Sequence, residues 1–135
     1  MNPPSKKNLL SSPQDWITHA QSDLKMAKLG REDEGIMSEQ VCFHAQQAVE
    51  KALKAVLLAR QVDFPLVHDL EALKDIGQKA GITIPENLLD IDTLTPYAVE
   101  TRYPGYLEEI SEEDVAQAID LAENFLVWAR DQVKL

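Results

Sequence analysis

A single cysteine, Cys42, stands among 135 residues. It excludes an internal disulfide and a cysteine-rich metal framework. Positive charge is also scarce. Lys and Arg number 13 against 23 Asp and Glu, which sets the formal net charge at −10. A surface that grips nucleic acid releases counterions with clustered cations. Here the overall field repels a polyanion, so direct RNA binding would need a local basic patch. The chain also lacks a phosphate-cradling glycine loop, an HExxH helix, an EF-hand loop and a glycine-flanked nucleophile. Its three histidines, His19, His44 and His68, lie far apart in sequence. No motif therefore names a reaction, a metal or a cofactor.

Long apolar runs are missing too. The densest stretch, Ala52 to Ala59, is interrupted by Lys54 and is too short to cross a bilayer. Met1 to Leu10 carries Lys6 and Lys7 with no apolar segment behind them, so no secretory signal is read. With the lone cysteine, this implies a reducing, cytoplasmic setting. Two prolines and two lysines with little to pack make residues 1–11 a flexible leader. Residues 12–135 then form a single domain, an ordinary size for one.

What is present is helical. Hydrophobic residues make up 44% of the chain, enough for a core without staples. Ser12-Pro13 reads as a helix start. Behind it, Trp16, Ile17, Ala20, Leu24 and Ala27 fall on one face, and Gly30 is a stop signal. A long second helix runs from about Ser38 to Arg60. Val41, Ala45, Ala48, Ala52, Ala55 and Ala59 alternate by four and three residues along it. This seam of small residues invites close approach of a neighbour. Cys42, Val49, Leu53 and Val56 widen the apolar face, so this helix is central. Glu50 and Lys54 have i,i+4 spacing and are expected on its outer side.

Pro65 breaks the connector Gln61 to Val67. Asp69 to Ala80 reads as a short helix with Leu70, Leu73 and Ile76 as its apolar teeth, ended by Gly81. Pro85 opens a further helical stretch, and Thr95-Pro96 restarts or kinks it. The chain then continues to the breaker Pro104-Gly105. Ser111 and Asp114 have capping-box spacing at the head of the last helix. Its stripe comprises Val115, Ala118, Ile119, Ala122, Leu126, Ala129 and Val133, with Leu121, Phe125 and Trp128 in a second line. No strand alternation occurs. The fold class is all-α, an antiparallel up-and-down bundle of about five helices.

Three constellations could carry chemistry. His68 and Asp69 either start a helix, with His68 capping or packing, or His68 faces a polar cleft and meets an anion. Arg102, Tyr103 and Tyr106 flank a Pro-Gly turn. They either close the bundle end through an Arg102–carboxylate pair or present a guanidinium fork and hydroxyls to phosphate. His44, Gln47, Lys51 and Lys54 line one side of the second helix. They form either a solvated face or a small cationic stripe for a nucleotide or an acidic partner. Cys42, Trp16 and Trp128 read as packing residues.

The run from Cys42 to Ala55 (CFHAQQAVEKALKA) resembles the signature helix of the HEPN family, higher eukaryotes and prokaryotes nucleotide-binding. Trp16 and Asp23-Leu24 with Ala27 resemble the family's first helix, and His68-Asp69-Leu70 with Leu73 its third. Tyr97 and Thr101-Arg102-Tyr103-Pro104 resemble its fourth, and Ala122 with Trp128 its last. The similarity runs from about Trp16 to Arg130. It implies a helical bundle, often homodimeric, encoded beside a minimal nucleotidyltransferase and acting in a two-component toxin–antitoxin system. In the family's RNases, an arginine is followed four to six residues later by a histidine. The arginine stabilises phosphate charge and the histidine does acid–base work.

Here the corresponding positions after Arg102 hold Leu107, Glu108 and Glu109, none of which replaces imidazole near neutrality. The resemblance therefore points to a binding module without catalytic residues. Its candidate nucleotide or anion contacts are Arg102, Tyr103, Tyr106, His68, His44 and Lys51. Two alternatives are an RNase toxin with a divergent site around Arg102 and a purely structural or assembly module.

Overall fold

The computed structural model describes residues 12–99 and 109–134. Helix α1 spans Pro13–Arg31, α2 Ser38–Ala59 and α3 Leu70–Lys79; a 3₁₀ helix covers Glu86–Leu94, followed by α4 at Pro96–Val99 and α5 at Glu112–Val133. Among the described residues there is no strand. The all-α expectation holds, and α2 is the central element. It lies along α1 on one side and α5 on the other, while α1 and α5 also touch. Helix α3, the 3₁₀ helix and α4 cover the remaining flank of α2.

The alanine seam makes this packing possible. Ala45, Ala48, Ala52 and Ala55 are fully buried, as are Cys42, Val49, Leu53, Val56 and Leu57 beside them. A stripe of methyl groups lets a neighbouring backbone approach, and the larger side chains fill the grooves alongside. The buried faces of the two flanking helices are Ile17, Ala20, Leu24 and Ala27 of α1, and Val115, Ala118, Ala122, Phe125 and Ala129 of α5.

The helix ends follow local chemistry. The Ser12 hydroxyl accepts from the Asp15 N–H at 3.1 Å, with Pro13 just inside α1. At α5 the capping box closes both ways. The Asp114 N–H donates to the Ser111 hydroxyl and the Ser111 N–H to the Asp114 carboxylate, each at 3.0 Å. Gly81 ends α3 at φ 93°, the left-handed region that glycine enters without strain. Helix α2 ends in a similar way on a non-glycine residue. Gln61 sits at φ 59°, and the Val62 N–H reaches back to the Leu57 carbonyl at 2.9 Å.

Three local expectations change. Gly30 does not stop α1, which runs on to Arg31. A Cβ at Gly30 would lie 3.0 Å from the Val41 side chain and 3.1 Å from that of Ile36. This glycine allows close contact rather than a break. The stretch after Pro85 winds as a 3₁₀ helix. Its buried residues, Leu88, Ile91 and Leu94, recur every three positions, which matches three residues per turn. Asp90, Asp92 and Thr93 are weak α-formers. Lys74 of α3 clamps the segment from outside, donating to the Leu89 carbonyl at 2.7 Å and the Asp92 carboxylate at 2.8 Å. The lysine hydrogen bond holds the Asp92 carboxyl below its ordinary range.

The third change concerns Glu50 and Lys54. Their side chains are buried, at 3% and 5% exposure, rather than on the outer side of α2. The i,i+4 spacing is right, but α1 and the following connector cover it. Among the described residues, no helix is long and apolar enough to cross a membrane.

Candidate functional site

The polar side of α2 carries two arrangements built to one plan: a carboxylate shared by a lysine and a histidine. In the first, Glu50 accepts from Lys54 Nζ at 3.0 Å, and His68 Nδ1 lies 3.0 and 3.1 Å from its two oxygens. Gln46 Nε2 donates to Glu50 at 3.1 Å and to the His68 carbonyl at 3.3 Å, which fixes the connector as well as the carboxylate. Gln47 in turn donates to Gln46 at 2.7 Å. Lys54 Nζ lies 5.6 Å from the Trp16 ring centre and 5.9 Å from that of Phe64, and these two rings meet edge to face. Burying an ammonium is costly, and one carboxylate with two aromatic faces offsets much of that cost. The indole N–H of Trp16 is buried with no partner among the described residues.

In the second arrangement, Asp23 of α1 takes Lys51 Nζ at 2.6 Å and His44 Nδ1 at 2.9 Å. It is less enclosed: the side chains of Lys51 and His44 are each 24% exposed. The Phe43 ring stands edge to face against His44 at 5.3 Å.

The sequence-derived candidates therefore divide. His44 and Lys51 share one carboxylate, that of Asp23. Lys54 belongs with Glu50. His68 neither caps α3 nor buries itself. Asp69 is the cap, accepting from the Glu71 and Ala72 N–H groups, while the His68 side chain is 59% exposed with one ring nitrogen anchored on Glu50. Arg102, Tyr103 and Tyr106 lie outside the described residues. Asp23, Glu50 and Gln46 escaped the sequence reading as site residues. Their one signal was polar residues set among buried helix positions, and only the partners explain them.

The anchoring has chemical consequences. A buried carboxylate on Nδ1 fixes a histidine's ring orientation and favours the tautomer with its proton there. The other nitrogen, Nε2, is then left to accept a proton or, once protonated, to donate to an anion. Among the described residues nothing binds Nε2 of His44 or His68. By contrast, Cys42 is chemically quiet. Burial pushes its thiol up to about 11, against a hydrogen bond with Tyr97 that acts the other way. Burial, with Cys42 and Asp114 nearby, pushes the Tyr97 hydroxyl up to about 12. Among the described residues, no group of His, Cys, Asp and Glu gathers to hold a metal ion.

Comparison with known proteins agrees with the sequence resemblance. The chain is 28% identical to the toxin candidate MJ1304 of Methanocaldococcus jannaschii, over 88% of this chain and 86% of that protein. The crystal structure of TT1696 from Thermus thermophilus matches with a TM-score of 0.73 and 28% identity, covering 89% of this chain and 97% of the other. ST0689, described as an archaeal HEPN homologue, matches at 0.73 and 27% identity, covering 92% and 99%. The HEPN domain model matches residues 13–132, nearly the whole of the bundle, and this chain belongs to the HEPN domain family.

Proposed function

We propose that this protein is one half of a two-component, toxin–antitoxin-like system, in which it pairs with a minimal nucleotidyltransferase or binds a nucleotide, without cleaving RNA. The observation that carries this reading is family membership without the RNase histidine: Leu107, Glu108 and Glu109 fill the positions after Arg102. Its likeness to a toxin candidate supports the two-component part. The acidic balance, at −10, disfavours a free RNA-binding surface and suits a protein partner or a small nucleotide. On this reading the candidate nucleotide or anion contacts are Arg102, Tyr103, Tyr106, His68, His44 and Lys51. The protein acts in the cytoplasm as a homodimer, with residues 12–135 as one domain behind a leader over residues 1–11. Co-expression with the nucleotidyltransferase encoded beside it should give a complex that survives purification. Titration with ATP or GTP should give measurable heat. A monomer that retains no such partner and binds neither nucleotide sinks the reading.

One observation favours a second reading. His68 has the arrangement of an acid–base imidazole, with one nitrogen on a buried carboxylate and the ring largely exposed. In an RNase toxin with a divergent site, His68 would work with Arg102, Tyr103 and Tyr106. Expression would then arrest growth and degrade RNA, and Arg102→Ala would relieve both. Normal growth with intact RNA excludes it.

A further inference from the structure

Helices α1 and α5 touch along a groove whose two ends differ. At one end, cross-helix ion pairs join Lys28 to Glu123 and Arg31 to Glu112. At the other, the groove opens into a cavity of about 400 Å³. Its α1 wall is neutral and hydrogen-bonding, with Gln14, Thr18 and Gln21. Its α5 wall is charged, with Arg130, Asp131 and Lys134, so cations outnumber the one carboxylate. Ile17 and Val127 add apolar surface. None of the six polar side chains has a partner among the described residues. That sets Arg130 and Lys134 apart. Every other Lys and Arg among the described residues, Lys25 excepted, is held by a carboxylate or an amide. An arginine in the last turn of α5 suits the negative end of the helix dipole, but the dipole does not require it to open onto a cavity. Residues 1–11 hold Lys6 and Lys7 and no acidic residue, so their charge does not complement this wall.

We infer that the α1–α5 cavity binds a small phosphomonoester whose body carries hydroxyl or amino groups, such as a sugar phosphate or a nucleoside monophosphate. The anion that the α1 wall lacks is supplied by the ligand. Two cations without counterions suit a phosphate dianion better than a single carboxylate. The Arg130 guanidinium can take two phosphate oxygens as a fork, and Lys134 adds a point charge. Asp131 only accepts hydrogen bonds, so it selects a hydroxyl or amine on the ligand body and repels a polyanion. The amides of Gln14 and Gln21 and the Thr18 hydroxyl both donate and accept, which suits a polar edge of mixed character. Ile17 and Val127 can pack beneath a ring. The volume lies toward the lower end of the range for small-molecule sites, about 300–1,000 Å³, and fits one such molecule rather than a chain. The cavity shares no residue with the Glu50 and Asp23 arrangements, so this site goes beyond the nucleotide contacts proposed above.

The test uses the whole wild-type chain in calorimetry at constant ionic strength, with ribose 5-phosphate, AMP and inorganic phosphate as probes. Both esters should bind at one site per chain, and inorganic phosphate about tenfold more weakly, since it engages only the cations. Either order of the two esters supports the inference, a tighter AMP assigning the base to the glutamine wall. Backbone amide shifts of Thr18, Gln21 and Asp131 should move on binding. Arg130→Gln should weaken both esters about tenfold or more. Lys79→Gln makes the same charge change on α3 and should leave affinity as it was. Circular dichroism checks the helix content of each variant. Absence of binding by both esters overturns the inference. So does inorganic phosphate binding as tightly as the esters, or equal weakening by Lys79→Gln and Arg130→Gln, which would show an effect of net charge alone. AMP binding that moves the amides of His44, Lys51 and His68 and ignores Arg130→Gln overturns this site and leaves the nucleotide reading standing.

Discussion

The Glu50 and Asp23 arrangements share a composition and differ in enclosure. Glu50 and Lys54 are almost sealed, while Lys51 and His44 keep about a quarter of their side-chain surface in water. Water decides what each is worth. A sealed ion pair gains little over an apolar pair of the same size, because desolvation offsets the attraction, yet removing one partner strands a buried charge. A half-open pair loses less when broken, because solvent takes over part of the missing partner's role. The Glu50 arrangement is thus a structural commitment that also aims an exposed ring. The Asp23 arrangement is a lighter tie between α1 and α2.

Glu50→Ala should produce the largest effect. It strands Lys54 among Trp16 and Phe64 and unties His68, and should cost about 3–5 kcal/mol in urea unfolding. The double change Glu50→Leu with Lys54→Met should recover most of that loss. A double variant as unstable as the single one would break the comparison. Asp23→Ala should cost less, about 1–2 kcal/mol, since its partners can rehydrate. A loss equal to that of Glu50→Ala would show that enclosure is not what separates the two.

The uncharged Cys42–Tyr97 contact gives a different signature. Both groups sit above their ordinary values in the folded chain, at about 11 and about 12. The unfolded chain therefore releases these protons first. Burial is the main cause of both shifts, so the stability that comes from keeping these groups protonated is complete below the ordinary thiol value of 9.0 and falls progressively as pH rises from there to about 12. Cys42→Ala should flatten the alkaline limb of a stability–pH curve, and an unchanged limb counts against the assignment. The smallest effect belongs to Lys28 and Glu123, a pair about half exposed on both sides. Glu123→Gln should change stability by about 0.5 kcal/mol or less. A larger loss would mean that exposure does not scale these pairs.

Much of the bundle was legible in the residues. The alanine spacing of α2, the apolar stripes of α1 and α5, and the Ser111–Asp114 box all have local causes. Helical periodicity and capping depend on neighbours within four residues, so the chain displays them directly. The same local view misjudged Gly30, because a glycine that ends a helix and one that admits a neighbour look alike. It also took the i,i+4 pair Glu50–Lys54 for a surface feature. Charge suggests solvent until one knows that Trp16 and Phe64 lie over the lysine.

The candidate site was half visible. His68, His44 and Lys51 could be named as groups able to meet an anion. Their partners could not, since Asp23 is 21 residues from His44 and Glu50 is 18 from His68. Nothing local ties a carboxylate to a ring across such a span.

By itself the sequence determined an all-helical chain built on a small-residue central helix, and it carried the letters of the HEPN family. It also settled that the positions after Arg102 hold no histidine. Only the tertiary structure decided that Glu50 and Asp23 each neutralise a lysine while holding a histidine by one nitrogen. Burial and long-range pairing set what a charged side chain can do, and these come into being only when α1, α2 and the connector before α3 close around one another.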